Sequence, residues 1–191
     1  MSLYKVEGYG VFSHYPDWVN EVKRLHCEVQ KELDLYPTER YPATVFFGDK
    51  YKGTVMFGTK CTLIYVPYDT FILKHELTHV LIRDVYGDVA PYIHEGYASR
   101  YDTVADRVRM QKVFDSMLKN RCIPKLSDAI NKTLEPDDIA GYAVACRMVS
   151  WLESKFGRDK TFKYGQTRDV RVLGYSTPDQ LDKDWYDSLG Q

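Results

Sequence analysis

No stretch of this 191-residue chain approaches the ~20 consecutive apolar residues that a helix needs to cross a bilayer, so no membrane span is expected. Neither sign of charge is in excess: 26 basic side chains face 27 acidic ones, for a formal net charge of −1. That removes the electrostatic footprint of a nucleic-acid binder or of a ligand for anionic membranes. Cysteine is sparse and scattered. Cys27, Cys61, Cys122 and Cys146 form no CxxC pair, and four reduced thiols are the first expectation, with one or two disulfides of a secreted protein as the alternative. The start, Met-Ser-Leu-Tyr-Lys-Val-Glu-Gly, carries no apolar signal-peptide core, which favours the cytoplasm while leaving the compartment open. Internal repeats, low-complexity tracts, a glycine-rich phosphate loop and a serine nucleophile elbow are missing too.

What is plentiful is aromatic: 14% of residues, 16 of them Tyr. Such a count suits a well-packed domain and also a groove lined with hydroxyl-tipped rings. Trp18, Val19, Val22, Leu25, Val29 and Leu33 recur at helical spacing, opened by Pro16–Asp17 and closed by Tyr36–Pro37. Ala43 to Phe47 reads as a strand ended by Gly48–Asp49. Gly53 to Phe57 and Cys61 to Val66 read as two more, joined through Gly58-Thr59-Lys60 as a hairpin. Asp69–Thr70 caps a helix from Phe71 to Tyr86, stopped by Gly87. Helices follow over Tyr92–Arg100, Thr103–Leu118 and Leu126–Ile130. Another runs from Pro136–Asp137 to Phe156–Gly157, and a last one from Thr177 or Pro178 to Leu189, with Val170–Leu173 extended between them. The order predicts an α+β fold with a small sheet and a mostly helical C-terminal half.

Within the Phe71–Tyr86 helix stands His75-Glu76-Leu77-Thr78-His79. Residues four apart share a helix face, so both imidazoles reach one ion. Zinc takes neutral imidazole at ~2.0–2.1 Å. Glu76 lies off that stripe, close enough for its carboxylate to take a proton from a metal-bound water. With 5 His and 9 Glu in the chain, chance produces an HExxH pentad in roughly half a per cent of shuffled sequences. Ile72, Leu73, Leu77, Val80 and Leu81 make the helix apolar and buried, where His and Glu need partners. A metal supplies them; a histidine pair hydrogen-bonded within a core is the blander reading. A catalytic site needs a third ligand, and Pro91-Tyr92-Ile93-His94-Glu95-Gly96-Tyr97-Ala98 offers either Glu95 or His94. His14 and His26 lie outside the motif and read as surface or core histidines.

HExxH, a short loop and then an E-G-x-A helix resembles the gluzincin metallopeptidases, most closely their compact peptidase MA-like members. The resemblance is strong over residues 75–98 and softer from Ala43 to the C-terminus, through Ile139–Gly157 and the Trp185 helix. It implies a zincin-like fold from Ala43 onward and does not explain the first forty residues; the expected organisation is a single domain over residues 1–191, with an N-terminal helical segment (1–42), a sheet with the metal-site helices (43–104) and a helical lobe (105–191). The resemblance implies one Zn2+ per chain on His75, His79 and Glu95, with fifteen residues between His79 and Glu95, and Glu76 as general base. Tyr142 is the implied oxyanion stabiliser, with Tyr97, Tyr101 and Tyr175 as alternatives. The hairpin before the motif implies an edge strand, packed on the HExxH helix, that binds a peptide or protein substrate through Val55, Met56 and Phe57.

Two departures refine this. The zinc aminopeptidases carry a Glu where this chain has Phe57, which turns the expectation toward an endopeptidase. Thermolysin-like relatives carry an Asp where this chain has Ser99, so the group that orients His75 is left between Asp102 and a backbone carbonyl. The expected function is zinc-dependent peptide-bond hydrolysis by metal-activated water. The alternative is a zinc-holding binding module of the same fold without turnover.

Overall fold

The computed structural model describes residues 2–6, 9–36, 38, 42–59, 61–131 and 138–191. The chain packs as two compact units, Met1–Gly87 and Asp88–Gln191. The architecture is α+β, with a five-stranded mixed sheet and a majority of helix.

The first unit opens with two strands, β1 (Ser2–Val6) and β2 (Tyr9–Ser13), paired antiparallel. They correct the expectation that residues 1–42 are a helical segment. Helix α1 (Asp17–Leu33) follows, then β3 (Ala43–Phe47), β4 (Thr54–Phe57) and β5 (Thr62–Val66). The spatial order is β1-β2-β3-β5-β4. β2 runs parallel to β3, and β3 parallel to β5, so α1 is the crossover of a β–α–β unit. Such a crossover is the way two neighbouring parallel strands are joined. β4 returns antiparallel on β5 as the outermost strand among the described residues, which is the expected edge hairpin. Lys60 in its turn, Pro37 after α1 and Pro136–Asp137 fall outside the described residues.

Alternation divides the sheet. Ala43, Val45 and Phe47 of β3 and Thr62, Ile64 and Val66 of β5 are buried. They pair in register as Ala43–Thr62, Val45–Ile64 and Phe47–Val66. Against this face pack Val22 and Leu25 of α1, and Leu73, Leu77 and Val80 of α2 (Thr70–Tyr86). Val55 and Ile72 close the same core from its margin. On the other face the half-buried rings of Phe12, Phe46 and Tyr65 stack across three strands at 4.8 and 5.0 Å. The hairpin is thus seated on the motif helix by apolar burial, at roughly 25 cal/mol per Å².

The Asp69 carboxylate caps α2, accepting from the N–H groups of Phe71 at 2.8 Å and Ile72 at 3.0 Å. Gly87, at φ 74°, ends it with an N–H donated to the Arg83 carbonyl.

The second unit is helical: α3 (Pro91–Ala98) with a 3-10 turn at Ser99–Tyr101, α4 (Val104–Lys119), α5 (Leu126–Asn131), α6 (Ile139–Phe156), α7 (Arg158–Thr167) and α8 (Pro178–Ser188). Two segments differ from expectation. Arg158–Lys163 reads as a basic solvated face, yet α7 buries Thr161, Phe162, Tyr164 and Gly165. Val170–Leu173 is a 3-10 turn rather than extended, because the Asp169 side chain accepts from the Arg171 N–H and Gly174 takes a left-handed φ of 90°.

Candidate metal centre

The site begins with α2. Asp69 sets its start, and every residue from Glu76 to Ile82 is buried. The backbone therefore has no freedom to rotate the motif into water. His75 and His79 stand one turn apart, with ring centroids 4.9 Å from each other and planes inclined by 72°. His79 is 6% exposed and His75 half-buried. Glu76 is 7% exposed, an unusual place for a carboxylate on a helix otherwise packed with Leu and Val.

Glu95 sits on α3, whose start is fixed by Pro91 at the first helical position and by the Ala90 N–H donated to the Gly165 carbonyl. The glycine that follows has a physical reason. A Cβ on Gly96 would collide with the Ala145 carbonyl and the Val149 side chain of α6. Only glycine lets α3 lie this close to α6. Tyr97 ties the two helices further. Its hydroxyl donates to Glu153 at 3.3 Å, its ring stacks on Phe162, and the Arg100 guanidinium lies 4.4 Å above it while bonding Glu153. Burial, reinforced by Glu153, pushes the Tyr97 phenol far above its usual pKa, so it stays neutral.

One ligand atom from each of His75, His79 and Glu95 lies within 4.8 Å of the other two. The group contains Glu95 and not the neighbouring His94, which is itself buried. Two imidazole nitrogens and one carboxylate oxygen fit the donor set of a tetrahedral zinc site with one position open.

The other sequence-predicted residues lie on several elements. Tyr142 is half-buried in the first turn of α6. Tyr101 is buried, and the Tyr175 hydroxyl donates to Asp184 at 2.6 Å. Ser99 is fully buried and its hydroxyl has no hydrogen-bond partner among the described residues. On the edge strand, the Val55 side chain packs into the core while Met56 and Phe57 are 55% and 44% exposed.

Arg83 escaped the sequence reading. It stands four residues after His79, a spacing that puts it on the same face one turn later. Its guanidinium lies 4.4 Å over the Phe57 ring and donates to the Gly58 carbonyl at 2.9 Å. The end of β4 is therefore clamped to the motif helix.

Compared with protein-family models, curated proteins and solved structures, the chain finds no significant match. The functional reading rests on the residues and their geometry.

Proposed function

We propose that this protein is a zinc-dependent endopeptidase with a zincin-like fold, holding one Zn2+ on His75, His79 and Glu95. The observation that carries the reading is the approach of those three donors beside a buried glutamate that is not one of them. A purely structural metal site has no use for such a carboxylate. When bound, the metal supplies Lewis acidity that polarises a carbonyl and lowers the pKa of water.

The chain's own residues do the rest. Glu76 takes a proton from the attacking water and passes it to the departing amine as the C–N bond breaks. Its burial keeps bulk water from competing for that proton. Tyr142 is the proposed donor to the oxyanion. The outermost strand β4 offers main-chain N–H and C=O groups to an extended peptide, which adds as a further antiparallel strand. Cleavage within a chain rather than at its N-terminus is supported at Phe57. An ammonium there would meet an aromatic ring already covered by the Arg83 cation.

The test is a quenched peptide library cleaved by wild type and by Glu76→Gln. Glu76→Gln is expected to keep the metal and lose cleavage by about 10²–10⁴-fold. Equal cleavage by the two proteins would sink the catalytic reading, and no cleavage by either would favour a zinc-holding binding module.

A further inference from the structure

The edge strand and the proposed base meet at a single residue. Gly53 precedes β4 with φ at +92°, a left-handed conformation that favours glycine. More telling is what a side chain there would touch. A Cβ built on Gly53 would stand 2.7 Å from Glu76 Oε1 and 2.7 Å from Ile72 Cγ2. Both lie well inside van der Waals contact, so something must give way. Ile72 is β-branched, stiff at χ1 and packed against the core. The Glu76 carboxylate is the far end of a longer, unbranched side chain and is the group that moves.

We propose that Gly53 is a positioning residue for the reaction: its missing side chain leaves the space in which the Glu76 carboxylate stands. The inference deepens the endopeptidase reading and rests on it. Gly53 fixes two quantities together. It sets where the carboxylate sits on α2, and it lets the strand that pairs with the substrate begin against that carboxylate. A peptide laid along β4 is thereby held at a set distance from the base. A Cβ at this point separates the two, and a misplacement of about 1 Å costs on the order of 10²-fold in rate.

The molecule contains its own control. Gly174 has φ +90°, nearly the same as Gly53, with nothing within 4 Å of its would-be Cβ. Gly174→Ala imposes the backbone strain without the contact. Gly53→Ala is expected to bind zinc as wild type does and to lose kcat by about 10²-fold with KM changed by less than about threefold. Gly174→Ala stays within about twofold of wild type in both. The carboxyl carbon resonance of Glu76, assigned by its disappearance in Glu76→Gln and recorded on metal-free protein, is expected to move in Gly53→Ala and not in Gly174→Ala. Should Gly53→Ala not fold, the same comparison in an Ile72→Ala background removes the aliphatic half of the clash and keeps the half with Glu76.

A Glu76 resonance unmoved by Gly53→Ala, or a kcat equal to that of Gly174→Ala, overturns the inference. Its failure is told apart from failure of the underlying reading by Glu76→Gln. If Glu76→Gln is inactive and Gly53→Ala retains wild-type kcat, only the role of Gly53 falls. If Glu76→Gln cleaves like wild type, the role of Glu76 falls and that of Gly53 with it.

Discussion

Helices α1 and α2 are both 17 residues long and pack against the same face of the sheet, yet they bury different things. α1 buries Val22, Leu25, His26, Val29 and Leu33 along one stripe and leaves Arg24, Glu28 and Glu32 in solvent. This is the pattern of a helix that only covers a sheet. α2 buries nine residues, among them Glu76, Thr78, His79 and Asp84. Some of this polarity is locally satisfied. Thr78 Oγ1 donates to the Lys74 carbonyl, and Asp84 accepts from the Thr38 N–H and hydroxyl. His79 and Glu76 are the two buried members of the motif that could serve its chemistry. Burying polar side chains in a core is costly unless they are partnered, and on α2 those side chains include two of the motif. The contrast teaches that α1 is scaffold and α2 is scaffold and site at once.

The contrast can be broken by matched substitutions. Leu25 of α1 and Leu77 of α2 are 1% and 0% exposed. Leu25→Ala and Leu77→Ala are each expected to cost about 2–5 kcal/mol of unfolding free energy in denaturant titrations. Activity separates them: Leu77 follows Glu76 and lies between the two histidines, so only Leu77→Ala lowers kcat beyond what its unfolded fraction explains. Equal kcat in the two variants, corrected for folding, would erase the distinction between the helices.

A smaller effect sharpens the junction between them. Lys74 of α2 pairs with Glu28 of α1 at 2.9 Å and approaches Glu32 at 3.8 Å. The Lys74 hydrogen bond is the main cause that lowers the Glu28 pKa from its ordinary 4.5. A depressed carboxylate pKa contributes stability above 4.5 and loses it as pH falls through the lowered value. Glu28 is 40% exposed, so solvent screening limits the pair to under about 1 kcal/mol. Lys74→Met is expected to lower Tm slightly at pH 7 and not at all well below pH 4.5. A Tm difference unchanged across that window would remove the ion pair as its cause.

How much of this was legible in the sequence follows the same division. α2 was readable because a capping Asp, an apolar pattern, a closing Gly and a chemical motif coincide over one stretch. β3 was readable as a run of strand-favouring residues ended by Gly48–Asp49, and it matches residue for residue. β1 and β2 were missed because pairing across the sheet, not local pattern, makes them strands. β1 pairs antiparallel with β2, and β2 joins β3 through a parallel crossover over α1. α7 was missed because its charged residues, Arg158, Asp159, Lys160 and Lys163, are interleaved with the ones it buries. At the site, His75, Glu76, His79 and Glu95 were visible as residue types at spacing. The contributions of Gly53, Arg83 and Gly96 were not, since each depends on what another element brings within a few ångströms.

The most direct measurement sets the two helices against each other once more. Each buries a histidine, His26 at 9% exposure on α1 and His79 at 6% on α2. Elemental analysis of the purified protein is expected to find about one zinc per chain in wild type and in His26→Ala, and close to none in His75→Ala, His79→Ala or Glu95→Ala. Full metal retention in His75→Ala and His79→Ala, or loss in His26→Ala alone, would contradict the account.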